Sequence, residues 1–320
     1  MATYLGVDLG ATTIRAVVGD RAGQVVGSHR TATPRGPTGI AVTEAVLDTV
    51  REACADAGVD PAALVAAGIG AIGPLDRDEG DVVDTPNLPR VDRIPLVGPL
   101  RSLLSTDRII LHNDATAGAI GERFFREGAD HLVYLTLSTG VGAGAVVDGH
   151  VLDGWQGNAA EVGHVTVDPD GRPCGCGGAG HWEAYCGGAN VPDYVSDLYD
   201  GEATSLPVDD PDAGLDAAAV FDADAAGDAF ATRVVDRIGR WNALGVAAVV
   251  HAYAPRIVAV GGGITRNNPE RVLRPIRERL PDHVATTVPE IRLTDEDGDA
   301  VAKGALASAI TGGTGAPADR

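Results

Sequence analysis

Lysine is all but missing from this 320-residue chain: Lys303 is the only one among its 25 basic residues. Asp and Glu number 45, so the formal net charge is −20. That balance argues against nucleic-acid binding. A surface dense in carboxylates and empty of lysine is the pattern of a protein adapted to high salt, where screening relieves self-repulsion. GC-rich codon usage also favours Arg and Ala, but it leaves the acidity unexplained. Aromatic residues are only 4% of a chain that is 44% hydrophobic, so its cores must be built mostly from Ala and Val. Four cysteines form no disulfide framework and fit a reducing compartment, the cytoplasm. No apolar run approaches the ~20 residues of a membrane span. The opening residues 1–8 have no basic region followed by an apolar core, so no signal peptide is expected. Gly-x-x-x-x-Gly-Lys-Ser/Thr does not occur, which argues against a Walker-type NTPase.

What the chain does concentrate lies in residues 161–183. Two glutamates, two histidines and two cysteines share one Gly-rich segment there: Glu161, His164, Cys174, Cys176, His181 and Glu183. The two cysteines are separated by one residue, too close for an ordinary disulfide. Two thiolates and two imidazoles make a complete tetrahedral set for Zn²⁺, and a set of four protein ligands leaves no position for water. A closed site of this kind is structural. The expected ligands are His164, Cys174, Cys176 and His181, with Cys186 the alternative fourth ligand if His181 points away. The metal would then fix Glu161, His164 and Glu183 around something else. The plainer alternative is a Gly-rich surface loop with incidental Cys and His.

Along the chain, residues 4–7 and 14–19 read as strands joined by a Gly/Thr turn, Asp8-Leu9-Gly10-Ala11-Thr12-Thr13. Gly10, Thr12 and Thr13 can offer backbone N–H groups and hydroxyls to phosphate oxygens. A helix is expected over 38–57, capped by Thr38, with Val46, Val50 and Cys54 inward, and ended by Gly58. Residues 65–71 form a small apolar strand. It runs into a formal Gly-x-Gly-x-x-Gly, Gly68 to Gly73. Pro74 and a turn follow rather than a helix, so the dinucleotide reading is rejected. Strand 108–111 leads into His112-Asn113-Asp114-Ala115 and a helix over 115–127 that closes at Gly128. The carboxyl end of such a strand is where α/β proteins place ligands; Asn113 or Asp114 can equally cap the helix. Strand 131–138 turns through Thr139-Gly140-Val141-Gly142, and 143–147 runs back to an Asp148-Gly149 hairpin turn. Residues 200–228 read as a solvated acidic excursion with one short helix. A long helix over 229–253, a strand over 256–260 and Gly261-Gly262-Gly263 follow. Helix 269–280, strand 291–293 and a small-residue helix over 299–310 precede a disordered tail from 311.

Taken together these motifs resemble the ROK family (repressors, uncharacterised reading frames and sugar kinases). The family signature runs Gly-Glu-x-Gly-His, Cys-x-Cys-Gly-x-x-Gly-Cys, then a further Glu. Glu161, His164, Cys174, Cys176 and Glu183 match it. Ala160 replaces a Gly, a change expected to matter little, and His181 stands where the family has its third Cys. The Gly10–Thr13 turn resembles the first phosphate loop, Thr139–Gly142 the second, and Gly261–Gly262 the adenosine turn. Thr85-Pro86-Asn87-Leu88 resembles the family's sugar loop, and Asn113-Asp114-Ala115 its Asn-Asp-Ala.

The resemblance implies a two-lobed actin-like (ribonuclease H-like) α/β fold with the active site in the interdomain cleft. A smaller domain would comprise 1–112 and 299–320, and a larger one 113–298. It implies transfer of the γ-phosphoryl of Mg·ATP to the 6-hydroxyl of a hexose, glucose first, with Asp114 as general base. ATP and Mg²⁺ would be held by Asp8, Gly10, Thr12, Thr13, Thr139, Gly140, Gly142, Gly261 and Gly262. The sugar would meet Gly73, Asn87, Asn113, Asp114, Glu161, His164 and Glu183, and Zn²⁺ would be structural. Open alternatives are N-acetylmannosamine or another hexose, polyphosphate as donor, and a sugar-sensing repressor. The acidic surface and the closeness of Asp8 to the start argue against the repressor. A homodimer is usual for the family, and neither nucleic acid nor membrane is expected as partner.

Overall fold

The structure is a computed structural model that describes all residues except 1, 86–87, 89–90, 127–128, 209, 211–213, 295–297 and 317–320. The chain divides into two compact units, one of residues 1–132, 144–159 and 299–320, the other of 133–143 and 160–298. The sugar-loop residue Asn87 lies outside the described residues.

The first unit begins with an antiparallel meander of β1 (Thr3–Leu9), β2 (Thr13–Asp20) and β3 (Val25–Ala32). Helix α1 (Gly39–Ala57) follows, then β4 (Ala67–Ala71). Three short strands, β5 (Leu75–Asp76), β6 (Asp81–Val83) and β7 (Arg93–Pro95), form a small sheet of their own. Helix α2 (Val97–Leu104), β8 (Ile109–Asn113) and α3 (Asp114–Phe125) come next. The main sheet has the order β3-β2-β1-β4-β8, with β4 parallel to β1 and to β8. Gly68 and Gly70 therefore lie inside a buried strand, and the chain after Gly73 enters β5 rather than a helix, as the rejection of a dinucleotide fingerprint requires.

Strand β9 (Leu132–Leu137) carries the chain into the second unit, and β10 (Val141–Val147) brings it back to pair with β11 (His150–Val151). Asp148 and Gly149 both have positive φ, 50° and 73°, the conformation a two-residue hairpin turn demands. The second unit then builds α4 (Glu183–Cys186), α5 (Val191–Leu198), α6 (Ala217–Ala225) and α7 (Ala229–Tyr253). Strand β12 (Ile257–Gly261), α8 (Gly262–Asn267), α9 (Pro269–Arg279) and β13 (Glu290–Leu293) complete it, with β12 and β13 parallel. Asp228 starts α7 by accepting from the N–H of Ala231 at 3.0 Å, and it also accepts from the Ser205 and Thr204 hydroxyls. These bonds overcome the carboxyl's burial and hold it well below the ordinary carboxylate range.

Helix α10 (Ala300–Thr311) returns to the first unit. One face of the main sheet is covered by α1, through Val42, Val46, Val50 and Cys54. The other is covered by α10, through Ala302, Leu306 and Ala309 against Tyr4, Val17 and Ala66. Glycine makes this second packing possible. A Cβ on Gly6 would strike the Ala302 carbonyl, one on Gly68 the Ala305 carbonyl, and one on Gly304 the Ala117 carbonyl of α3. All three obstacles are backbone, which cannot swing aside. Gly304→Ala is therefore expected to destabilise the fold by about 1–3 kcal/mol. Helix propensity alone would favour that change by ~1 kcal/mol, so the sign of the Tm shift tests the packing.

Unit one takes in 113–132 and 144–159 as well as the 1–112 and 299–320 assigned to it from sequence, because α3 packs on α10 and β4. That makes it the longer unit. Thr38 occupies the N-cap of α1 but makes no side-chain capping bond, whereas Gly58 ends the helix in the left-handed conformation with its N–H on the Ala55 carbonyl. Helix α3 ends at Phe125, with Arg126 already extended; the expected stop at Glu127 and Gly128 lies outside the described residues. The tail is not free from 311 onward, because buried Arg123 donates to the Thr314 carbonyl at 2.6 Å and grips Asp130 at 2.9 Å.

Candidate active site

In the first unit, the β1–β2 hairpin closes with the N–H of Gly10 on the Thr13 carbonyl at 3.0 Å. Thr33, unmarked by any sequence signal, holds the turn from the side: its hydroxyl donates to the Gly10 carbonyl at 2.8 Å and its N–H to the Thr12 carbonyl at 3.0 Å. The register sets Arg15 opposite Asp8, and Arg15 pairs with Asp299 at 2.7 Å. Burial, and then the neighbouring Asp114, push the Asp8 carboxyl up to about 7 against the pull of Arg15. Once the turn is placed, counting outward from it puts Arg15 across from Asp8, so this pair was within reach of the sequence; Asp299, nearly the whole chain away, was not.

Asn113 ends β8 and caps α3, its Oδ1 accepting from the N–H of Ala115 at 3.0 Å. Asp114 Oδ1 accepts from the same N–H at 2.7 Å. The Asn113 amide nitrogen faces Gly73, where an added Cβ would stand 3.5 Å away. So Gly73, Asn113, Asp114 and Asp8 are brought together in one neighbourhood. His112 is buried, with Nε2 at 2.9 Å from the Ser308 hydroxyl and Nδ1 at 3.6 Å from Asp153 Oδ1. Asp153 also meets Arg77 at 3.3 Å. The His112 imidazole, and then Arg77, hold the Asp153 carboxyl below its ordinary range despite its burial. Arg77, Asp153 and Ser308 carried no motif; only the fold assembles them behind Asn113.

In the second unit, His164, Cys174, Cys176 and His181 converge, their ligand atoms all within 4.8 Å of one another. Cys174 Sγ lies 3.9 Å from His164 Nδ1, and Cys176 Sγ lies 3.2 Å from His181 Nδ1. Tetrahedral zinc with its usual Zn–S and Zn–N bonds places neighbouring N and S ligands roughly 3.5 Å apart. The set present therefore fits the ion. The knuckle is shaped by the Cys174 N–H on the Gly178 carbonyl at 2.8 Å and the Gly177 N–H on the Cys174 carbonyl at 3.0 Å. Cys186 is buried elsewhere with its thiol on the Ile238 carbonyl at 3.6 Å, and burial raises its pKa far above that of a free thiol. That removes it as the alternative ligand.

Glu161 directly precedes the 3₁₀ turn Val162–His164. Burial raises its pKa, Glu183 adds to the rise, and His164 opposes it. Ala160, the residue expected to matter little, has φ +61°, a left-handed backbone that costs an L-residue roughly 1–2 kcal/mol. The replaced glycine would have taken it without strain. In the Ser138–Val141 turn, Glu183 Oε2 accepts from the Val141 N–H at 2.8 Å. Gly142 follows in β10, and Thr139 is exposed at the tip. Gly261 and Gly262 make the turn from β12 into α8. Gly262 has φ +88°, and a Cβ there would strike the Leu137 carbonyl, so only glycine fits.

The model of the ROK family matches residues 4–311. The chain belongs to the ROK family. A glucokinase of Pyrobaculum calidifontis is 38% identical over 310 residues, covering 97% of this chain and 95% of its own. A ROK hexokinase of Thermus thermophilus superposes with a TM-score of 0.81 at 31% identity, over 96% of this chain and 97% of that one. A ROK family glucokinase of Streptomyces griseus, solved in complex with glucose and AMPPNP, superposes with a TM-score of 0.77 at 30% identity, over 96% and 99%. The fold is accordingly the two-lobed actin-like α/β fold of the ROK kinases.

Proposed function

We propose that this ROK protein is an ATP-dependent glucokinase that transfers the γ-phosphoryl of Mg·ATP to the 6-hydroxyl of glucose. The observation that carries the reading is the carboxylate of Asp114 at the start of α3, beside Asn113 and electrostatically coupled to Asp8, in a chain that aligns with glucokinases along nearly its full length. Phosphoryl transfer asks for positioning and charge neutralisation rather than covalent help. Asp114 accepts the proton of the sugar hydroxyl as it attacks. The proton leaves late, so this carboxylate needs no unusual basicity. Asn87, Asn113, Glu161, His164 and Glu183 hold the ring hydroxyls, with Gly73 against the ring. Gly10, Thr12, Thr13, Thr139, Gly140 and Gly142 take the phosphates, and Gly261 and Gly262 the adenosine.

Mg²⁺ bound with the nucleotide would neutralise charge on the phosphate oxygens, and Asp8 is the residue that would face it. Zn²⁺ bound by His164, Cys174, Cys176 and His181 supplies only rigidity. His164 offers Nδ1 to this cluster, which leaves Nε2 to donate to sugar. Asp8 must lose its proton before it can serve a cation. Mg·AMPPNP affinity is thus expected to rise as pH passes through about 7, and to lose that dependence in Asp8→Asn. The linked stability runs the other way. Only the folded state keeps this proton between the ordinary carboxylate range and about 7, so the ligand-free fold loses stability as pH rises across that window.

The deciding experiment is phosphorylation of a sugar panel with Mg·ATP in molar KCl and in low salt. Glucose turned over in preference to N-acetylmannosamine, faster in high salt, is the expected result. Preference for another sugar would replace the substrate, and sugar binding without turnover of any sugar would replace the enzyme by a sensor. The excess of carboxylates, 45 against 25 basic residues, supports salt adaptation. Among the described residues no helix is long and apolar enough to cross a membrane. A cytoplasmic homodimer that does not bind nucleic acid completes the reading, and light scattering tests the dimer.

A further inference from the structure

Resting on the reading of Glu183 as a sugar ligand, we infer that its carboxylate also couples sugar binding to the shape of the nucleotide hairpin in the second unit. The hairpin turn is gripped at three points by one short stretch of chain. The Val141 N–H donates to Glu183 Oε2 at 2.8 Å, the Gly188 N–H to the Ser138 carbonyl at 2.8 Å, and the Ala189 N–H to the Thr139 carbonyl at 3.0 Å. Two of these bonds are backbone to backbone and do not respond to a ligand. The third ends on an ionisable side chain that can hold a second partner, because a carboxylate accepts through both oxygens.

The backbone that carries that side chain is anchored on both sides. Trp182, one residue before it, is fully buried, and its indole N–H donates to buried Asn242 at 2.9 Å. Two residues after it, Tyr185 stacks on Trp241 with ring centroids 4.6 Å apart and donates from its hydroxyl to Asp168 at 3.1 Å. Glu183 is left with only its own side-chain rotations. A sugar hydroxyl on this carboxylate fixes those rotations, and with them the acceptor of the Val141 N–H. Nucleotide then meets a turn whose ordering is already complete, which is positive cooperativity without a large movement. Gly140 fits this arrangement, for a Cβ there would run into the same Oε2. The glycine leaves the carboxylate its place against the turn.

Coupling of this kind is reciprocal, so each ligand must tighten the other by the same factor. Calorimetric titration of AMPPNP with and without saturating glucose, and of glucose with and without AMPPNP, reads it directly. In the unaltered protein each ligand is expected to tighten the other about fivefold or more. Gly140→Ala keeps the Glu183 charge but displaces its carboxylate. It is expected to weaken glucose binding severalfold with no nucleotide present, and to bring the coupling factor close to one. Glucose affinity unchanged in Gly140→Ala, or no coupling in the unaltered protein, overturns the inference. Glu183→Ala separates the two ideas: glucose affinity unchanged there removes the sugar contact itself. A purely structural Glu183 would confine the Gly140→Ala effect to nucleotide.

Discussion

Alanine at position 114 is expected to lower kcat by a factor of about 10²–10⁴, the range a positioned general base contributes. The drop should appear equally in kcat and kcat/KM, because proton acceptance is an interaction made only in the transition state. The fold should survive. The N–H of Ala115 that Asp114 holds at 2.7 Å is also held by Asn113 at 3.0 Å, so the start of α3 keeps a cap. Asp114→Asn offers a control of equal size whose side chain can still accept that N–H but cannot take a proton. A second consequence separates this site from a merely damaged one. Asp114 helps to raise the Asp8 carboxyl, so its removal should move the pH midpoint of Mg·AMPPNP binding downward. Near-normal turnover in Asp114→Ala would refute the assignment of the base.

Zinc is expected at close to one ion per chain, and His181→Ala should release it under mild chelation. Loss of one of four ligands should cost more than the 10–100-fold typical of a lost second-shell partner. Cys186→Ala should keep the ion, since that thiol is engaged with the Ile238 carbonyl. Elemental analysis after dialysis against a chelator distinguishes the two variants without any assay of activity. Full retention in His181→Ala would give the fourth position to another ligand. The base of the segment should stand without metal, because Arg172 ties it through Asp197 at 2.8 Å and Tyr185 through Asp168 at 3.1 Å. Chelation is therefore expected to weaken glucose, through the freed His164, well before it lowers the Tm.

The order of motifs was legible because most of them sit where backbone chemistry announces itself. The Asp148-Gly149 hairpin and the Gly58 stop each require a left-handed conformation, and each is found there; the Gly10 turn closes through its N–H on the Thr13 carbonyl. The long α7 spans the 229–253 expected from the sequence. Strand β3 was not, since most of its residues are exposed and no alternation marks it. Strands β5 to β7 have two or three residues each, too few for any period to show. Helix α2 hides behind Gly98 and Pro99, and α5 carries Pro192 in its first turn, residues that read as loop until the tertiary contacts are known. At the site, the Cys/His cluster was legible because its four donor residues fall within eighteen consecutive residues of sequence. The His112–Asp153–Arg77 group and the Arg15–Asp299 pair join residues from distant parts of the chain. No local pattern encodes such a meeting.

The glycine-lined face of the main sheet has a consequence for the protein's birth. Its strands β1, β2 and β4 leave the ribosome in the first quarter of synthesis, but the helix that covers Gly6 and Gly68 is the last of the described elements. Throughout translation of the second unit the nascent first unit lacks the α10 cover of that face, with only α3 packed on β4 there. It can be completed only after the entire insert has been made, so the second unit, continuous but for one hairpin, is the one positioned to fold while still tethered.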